Sequence, residues 1–162
     1  EVRLAALLHD LGKAETEPSK WPSHHGHEQK GLPILKRFCS RLRIPKAFKI
    51  LSTQVMNYHT HCHRVFELKA STLTDMLNTL GAFKTSNSTI EDFVLACEAD
   101  SKGRTGLENC PYPQSSYLLK AAEVGRKIDT SVILDSNLKG PQIGDAIRNL
   151  RIKAIASFIK SV

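Results

Sequence analysis

Nothing in the sequence is long and apolar enough to cross a membrane as a helix, for which about 18 consecutive residues are needed. There is no CxxC pair either. Cys39, Cys62, Cys97 and Cys110 are widely spaced, which excludes a zinc ribbon and suits reduced thiols in a cytoplasmic protein. No segment alternates with period two between hairpin turns, and there is no repeat or low-complexity stretch, so strands are not expected. An initiator Met and a signal-like amino terminus are also missing, and the first residues already have a helical pattern. The chain is therefore expected to be a fragment of a longer protein.

What is present is an all-α pattern. The 162 residues, 41% hydrophobic and 24% charged, suit one globular domain or one domain with a small appendage. Turn residues predict helices over residues 2–11, ended by Gly12, over 27–42, and from Pro45 to about 63. Further helices are predicted over 71–80 from a Ser71 cap, from a Ser88–Glu91 capping box to about 101, and over 113–128. A short piece near 131–136 and a last helix after Gly140-Pro141 complete the set. Pro33 should bend its helix or limit the first turn.

The net charge of +7 and pI near 9.4 favour anionic partners such as nucleic acid or nucleotides. The excess is uneven. Residues 36–49 read KRFCSRLRIPKAFK, with six basic residues and no acid, which a solvated helix face would explain as well as a binding surface.

The segment LLHDLGK, residues 7–13, raises a sharper question. On a helical wheel Leu4, Leu7, Leu8 and Leu11 form one stripe, and His9 and Asp10 fall opposite beside Val2, Ala5 and Ala6. Such a helix is apolar nearly all round and is expected to be buried. A buried imidazole or carboxylate is costly unless it is paired, hydrogen-bonded or metal-bound. Asp10 also lies at the helix end where the dipole disfavours an anion. Some partner must hold the pair.

Every other histidine lies in one of two clusters, WPSHHGHE (His24, His25, His27) or YHTHCHR (His59, His61, His63). His59 and His63 share a helical face, while His61 and His63 also read as the wet end of a helix. Asp100, in CEADSKGR, ends a largely apolar helix against the dipole, as Asp10 does. Imidazole and carboxylate together suit borderline divalent metals.

With LLHDLGK, HHGHEQKG, YH, EADSKGRTG and YPQSSYL taken together, the chain resembles the HD superfamily of metal-dependent phosphohydrolases. More narrowly it resembles the carboxyl-terminal HD domains of bacterial multifunctional CCA proteins, the tRNA nucleotidyltransferases. The resemblance implies a single HD-domain helical bundle over 1–162, with a core at about 1–102 and carboxyl-terminal helices at about 112–162. It implies that the first HD helix and an amino-terminal nucleotidyltransferase head lie outside this chain. It also implies hydrolysis of 2',3'-cyclic nucleotides, 2'-nucleotides and phosphomonoesters with nickel or another transition metal. The parent enzymes repair tRNA 3' ends with ATP, CTP and magnesium, the last belonging to the head, so polymerisation is not expected here.

Position by position, His9 and Asp10 match the family's His-Asp pair, and His27, four residues before Gly31, its helical His before a small residue. His59 matches the next His and Asp100 the final acid. Two departures stand out: the family's first His lies upstream of this chain, and Thr60 stands where relatives often carry an acid. The first leaves the metal set short of a ligand, so inactivity of this chain by itself is one expected outcome.

Within this resemblance the candidate metal ligands are His9, Asp10 and Asp100, with His27 or His59. Asp10, His59, Lys13 and Arg104 are the candidate catalytic groups, with Lys13 and Arg104 on the phosphoryl oxygens and His59 or His24 as proton donor. His24 and His25, with Lys13 and Arg104, are candidate substrate contacts. Lys13 would equally complement a helix end, and Arg104 would equally pair with Glu108. Lys36, Arg37, Arg41, Arg43 and Lys46 are candidate tRNA contacts. The alternatives are a non-catalytic domain that positions tRNA, in which Arg148, Arg151 and Lys153 would also serve, and a stand-alone HD nucleotidase. The apolar helices would pack within one chain or across a homodimer.

Overall fold

The computed structural model describes residues 1–84, 89–134 and 138–162. Its helices are α1 (Val2–Leu8), α2 (His27–Arg41), α3 (Lys46–His63), α4 (Ala70–Thr79), α5 (Ile90–Lys102), α6 (Pro113–Arg126), α7 (Ser131–Leu134) and α8 (Pro141–Ser161). Short 3-10 turns occupy Leu11–Glu15, Pro18–Lys20 and Val65–Glu67. Among the described residues there is no strand, and the fold class is all-α as the sequence pattern predicts. No described helix is long and apolar enough to cross a membrane.

Helix ends fall near their expected places because the punctuating residues act locally. Pro45 caps α3, Pro113 opens α6 and Gly140-Pro141 open α8. Ser71 lies inside α4, whose cap is Lys69, and Ser88 of the expected capping box lies outside the described residues. Pro33 neither starts nor stops α2, which carries it on its exposed side. All four cysteines are free thiols.

Two compact units form, Glu1–Arg64 with Glu91–Ser115, and Val65–Ile90 with Ser116–Val162. In the first, α1 and α2 pack on α3 around a core of Leu8, Leu35, Cys39 and Met56. In the second, α4 and α7 pack on α8, with Leu73, Leu77, Leu118 and Ile155 removed from water.

The first helix differs from its wheel. It ends at Leu8, and Asp10 (φ −101°, ψ 10°) leads into the 3-10 turn. Ala5, Leu8 and His9 are buried, but Leu7 is 74% exposed. The wheel carries the α-helical period past the true end and so misplaces the residues after Leu8; Leu7, inside the helix, nevertheless faces water.

Gly12 sets the position of that turn. A Cβ there would overlap His27 O and lie 2.6 Å from Gly31 N, both main-chain atoms that cannot move aside cheaply. The bare backbone lets the turn after Asp10 sit directly on the first turns of α2. Gly12→Ala is expected to lower unfolding free energy by about 3 kcal/mol, through overpacking against backbone, read by chemical denaturation.

Candidate metal centre

Five side chains converge in the first unit. His9 and Asp10 come from the end of α1, His27 from the first residue of α2, His59 from the last turns of α3, and Asp100 from the last turn of α5. Asp10 Oδ1 lies 3.1 Å from His27 Nε2 and 3.7 Å from His59 Nε2, while its Oδ2 lies 3.1 Å from His9 Nε2. His9 Nε2 is also 3.4 Å from Asp100 Oδ1. One ligand atom each from His9, Asp10 and His59 lie within 4.8 Å of one another.

The imidazoles share an orientation. Nδ1 of His9 is 2.6 Å from Ala6 O, that of His27 is 2.9 Å from His24 O, and that of His59 is 3.0 Å from Val55 O. A carbonyl oxygen can only accept, so each Nδ1–H donates to backbone and each Nε2 faces the centre. This is the arrangement a metal ligand requires, with the far nitrogen fixing tautomer and ring plane.

Two further observations test whether a cation fits. The Nε2 atoms of His27 and His59 approach to 3.2 Å. With Nδ1 protonated on both, their lone pairs oppose each other unless a positive centre lies near. Asp10 Oδ1, between them, is buried and accepts no hydrogen bond. An orphaned carboxylate oxygen facing imidazole lone pairs is a donor set that a divalent cation satisfies.

The charges point the same way. Burial opposes protonation of His9, but the Asp10 and Asp100 carboxylates outweigh it and raise its pKa to about 10. Burial likewise works against Asp10 and Asp100 ionising. His9 with Lys13, and His63 with His9, nevertheless hold the two carboxyls well below the usual range. His59 is pushed down to about 4, first by burial and then by the positive charge at His9. Without metal, an imidazolium thus bridges two carboxylates beside neutral His59.

The remaining candidates fall into three groups. Lys13 Nζ is 2.5 Å from Asp10 Oδ2, and Arg104 Nη2 is 3.8 Å from Asp100 Oδ2. Arg104 thus has Asp100, not the sequence alternative Glu108, as its ion-pair partner. His24 and His25 line an open cavity of about 320 Å³ together with Lys13, His27, Glu28 and Thr60. Lys36, Arg37, Arg41, Arg43 and Lys46 are not part of the centre; all five are exposed, with no ion pair among the described residues.

Sequence reasoning undervalues His63. Its Nε2 is 2.7 Å from Asp100 Oδ2 and its Nδ1 is 2.8 Å from Tyr112 Oη, so it holds the carboxylate rather than ending a helix in water. Its spacing of four from His59 is the available signal; no local pattern announces Tyr112. Thr60 carries its own consequence, because its Oγ1 donates to Glu28 Oε1 at 2.8 Å and so draws an acid from α2 to the rim. His61 packs edge-on to Tyr58.

Residues 1–96 match the HD domain family. The chain is similar to the multifunctional CCA protein of Methylococcus capsulatus, 50% identical over 95% of this chain and 36% of that protein. It is 47% identical to the protein of the same name from Teredinibacter turnerae, over 96% of this chain and 38% of that one. The counterpart from Pseudomonas fluorescens strain Pf-5 is 46% identical over 97% and 38%. The chain therefore spans well under half the length of these curated relatives. No solved structure gives a significant match.

Proposed function

The chain belongs to the HD domain family, and on that premise we propose that it is a metal-dependent phosphohydrolase domain acting on 2',3'-cyclic nucleotides, 2'-nucleotides and phosphomonoesters. Its setting would be a tRNA CCA-adding and repair enzyme, a reading supported by relatives named multifunctional CCA protein. The observation that carries the reading is Asp10 Oδ1, buried without a donor between two imidazole nitrogens.

His9, Asp10 and His59 would hold the metal, with His27 and Asp100 completing the set. Nickel or another transition metal suits so imidazole-rich a set; magnesium would serve only a nucleotidyltransferase head. A divalent cation supplies Lewis acidity there, lowering the pKa of water toward neutrality and offsetting phosphoryl charge. Asp10 fixes His9 and Lys13 in place, and His63 with Tyr112 holds Asp100. Lys13 and Arg104, already drawn to those carboxylates, present fixed positive charge to the non-bridging oxygens of a bound phosphate. His59, neutral at pH 7, serves better as a ligand than as a proton donor. His24, on the open cavity, is left as the group that protonates the leaving alkoxide.

The exposed basic run supports an RNA partner. Lys36, Arg37, Arg41, Arg43 and Lys46 face water without carboxylate partners, which favours a phosphate backbone. The test is a substrate panel of 2',3'-cyclic AMP, 2'-AMP and a simple phosphomonoester, with nickel or with chelator, beside tRNA binding at several salt concentrations. Nickel-stimulated hydrolysis of all three is expected. Salt-sensitive tRNA binding with no hydrolysis of any ester would replace this reading with a tRNA-positioning domain.

A further inference from the structure

The cavity beside the metal centre continues toward a residue to which no role has been given. Its lining includes Lys13 and His27, which touch the centre, and Pro22 and His24, which follow Trp21 in the loop before α2. Trp21 is 61% exposed, an unusual state for so large an apolar surface. The ring is nonetheless tethered: Nε1–H donates to Thr16 O at 3.1 Å, and Thr16 is itself buried. His24 stands next to it, ring centroids 6.4 Å apart and tilted by 48°. The hydrogen bond consumes the indole edge and leaves the faces free.

We propose that Trp21 is the nucleobase-stacking subsite for substrates whose phosphate enters the cavity at Lys13 and His27. The inference rests on the phosphohydrolase reading and narrows it to nucleotides. A tethered indole has lost little further freedom when a base lands on it, and stacking tolerates any base because every base offers a π-face. The pairing also divides the labour along one cavity, anion recognition at Lys13 and base recognition at the loop. The base belongs to a free nucleotide or to the last residue of an RNA end; both present the same face.

Trp21 is the chain's single tryptophan, so its emission reports on this subsite alone. Titration with 2',3'-cyclic AMP, or with a short oligoribonucleotide ending in a 2',3'-cyclic phosphate, is expected to quench it saturably; β-glycerophosphate is not. Comparison of the two nucleotide arms assigns the source of the base. Trp21→Ala is expected to raise KM for 2',3'-cyclic AMP about tenfold with kcat little changed. It should leave β-glycerophosphate kinetics as they were, and Trp21→Phe should restore most of the loss. Unquenched emission, an unmoved nucleotide KM, or an equal rise in KM for β-glycerophosphate would overturn the subsite. Saturable quenching without hydrolysis of any ester would instead sink the phosphohydrolase reading and keep the base subsite.

Discussion

Asp10→Asn is expected to weaken nickel binding by at least about 100-fold and to abolish nickel-stimulated hydrolysis. The carboxylate is the hub of the centre: its two oxygens lie 2.5–3.7 Å from His9, Lys13, His27 and His59. An amide of the same shape loses the negative charge that holds His9 and Lys13. It also presents an NH2 that cannot ligate. Loss of fold is a separate outcome, because His9 keeps only Asp100 as a carboxylate partner in a half-dry site. The variant is therefore read by circular dichroism and by nickel calorimetry together. A folded Asp10→Asn protein that still binds nickel as the wild type does would contradict the assignment of Asp10 as a ligand.

Nickel binding is expected to tighten by about 30-fold from about pH 6.5 to about pH 8, with one proton released per ion bound. His9 keeps its proton to about pH 10 in the metal-free protein, and its Nε2 cannot carry both proton and metal. Each unit of pH below that value therefore costs about tenfold in apparent affinity. The sign for folding runs opposite. A histidine whose folded pKa lies above the unfolded value, about 6.5, contributes stability that is complete below that pH. The contribution drains away as pH rises through about 10. Metal-free protein should thus become less stable across that alkaline window, while nickel-loaded protein gains. His59 has the reverse sense: its contribution is present above about 6.5 and lost as pH falls through about 4. Calorimetry in buffers of different ionisation enthalpy counts the proton directly, and affinity independent of pH would contradict the bridging imidazolium.

Much of this is legible in the sequence, and the reason is locality. Pro45, Pro113 and Gly140-Pro141 act within a turn of their own positions, so the helical frame can be read from them. His9 and Asp10 are conspicuous because nothing local accounts for two titratable groups at the end of an apolar helix. What fails is whatever depends on where a helix stops or on distant partners. The α1 wheel runs past Leu8, where the helix ends, so it cannot place Asp10 or Leu11, and it puts Leu7 in the core although Leu7 faces water. His63 reads as a helix end because its partners, Asp100 and Tyr112, lie 37 and 49 residues away. Thr60 reads as a missing acid, whereas in the folded chain it binds Glu28 from another helix.

The central claim is that the centre built on His9 and Asp10 makes this chain a metal-dependent phosphohydrolase. The most direct test titrates nickel into chelator-treated protein and follows bound metal and 2',3'-cyclic AMP turnover on the same sample. The account requires turnover to rise in proportion to occupancy and to saturate at one ion per chain. Turnover that is indifferent to occupancy, or an ion bound without any turnover, would contradict it.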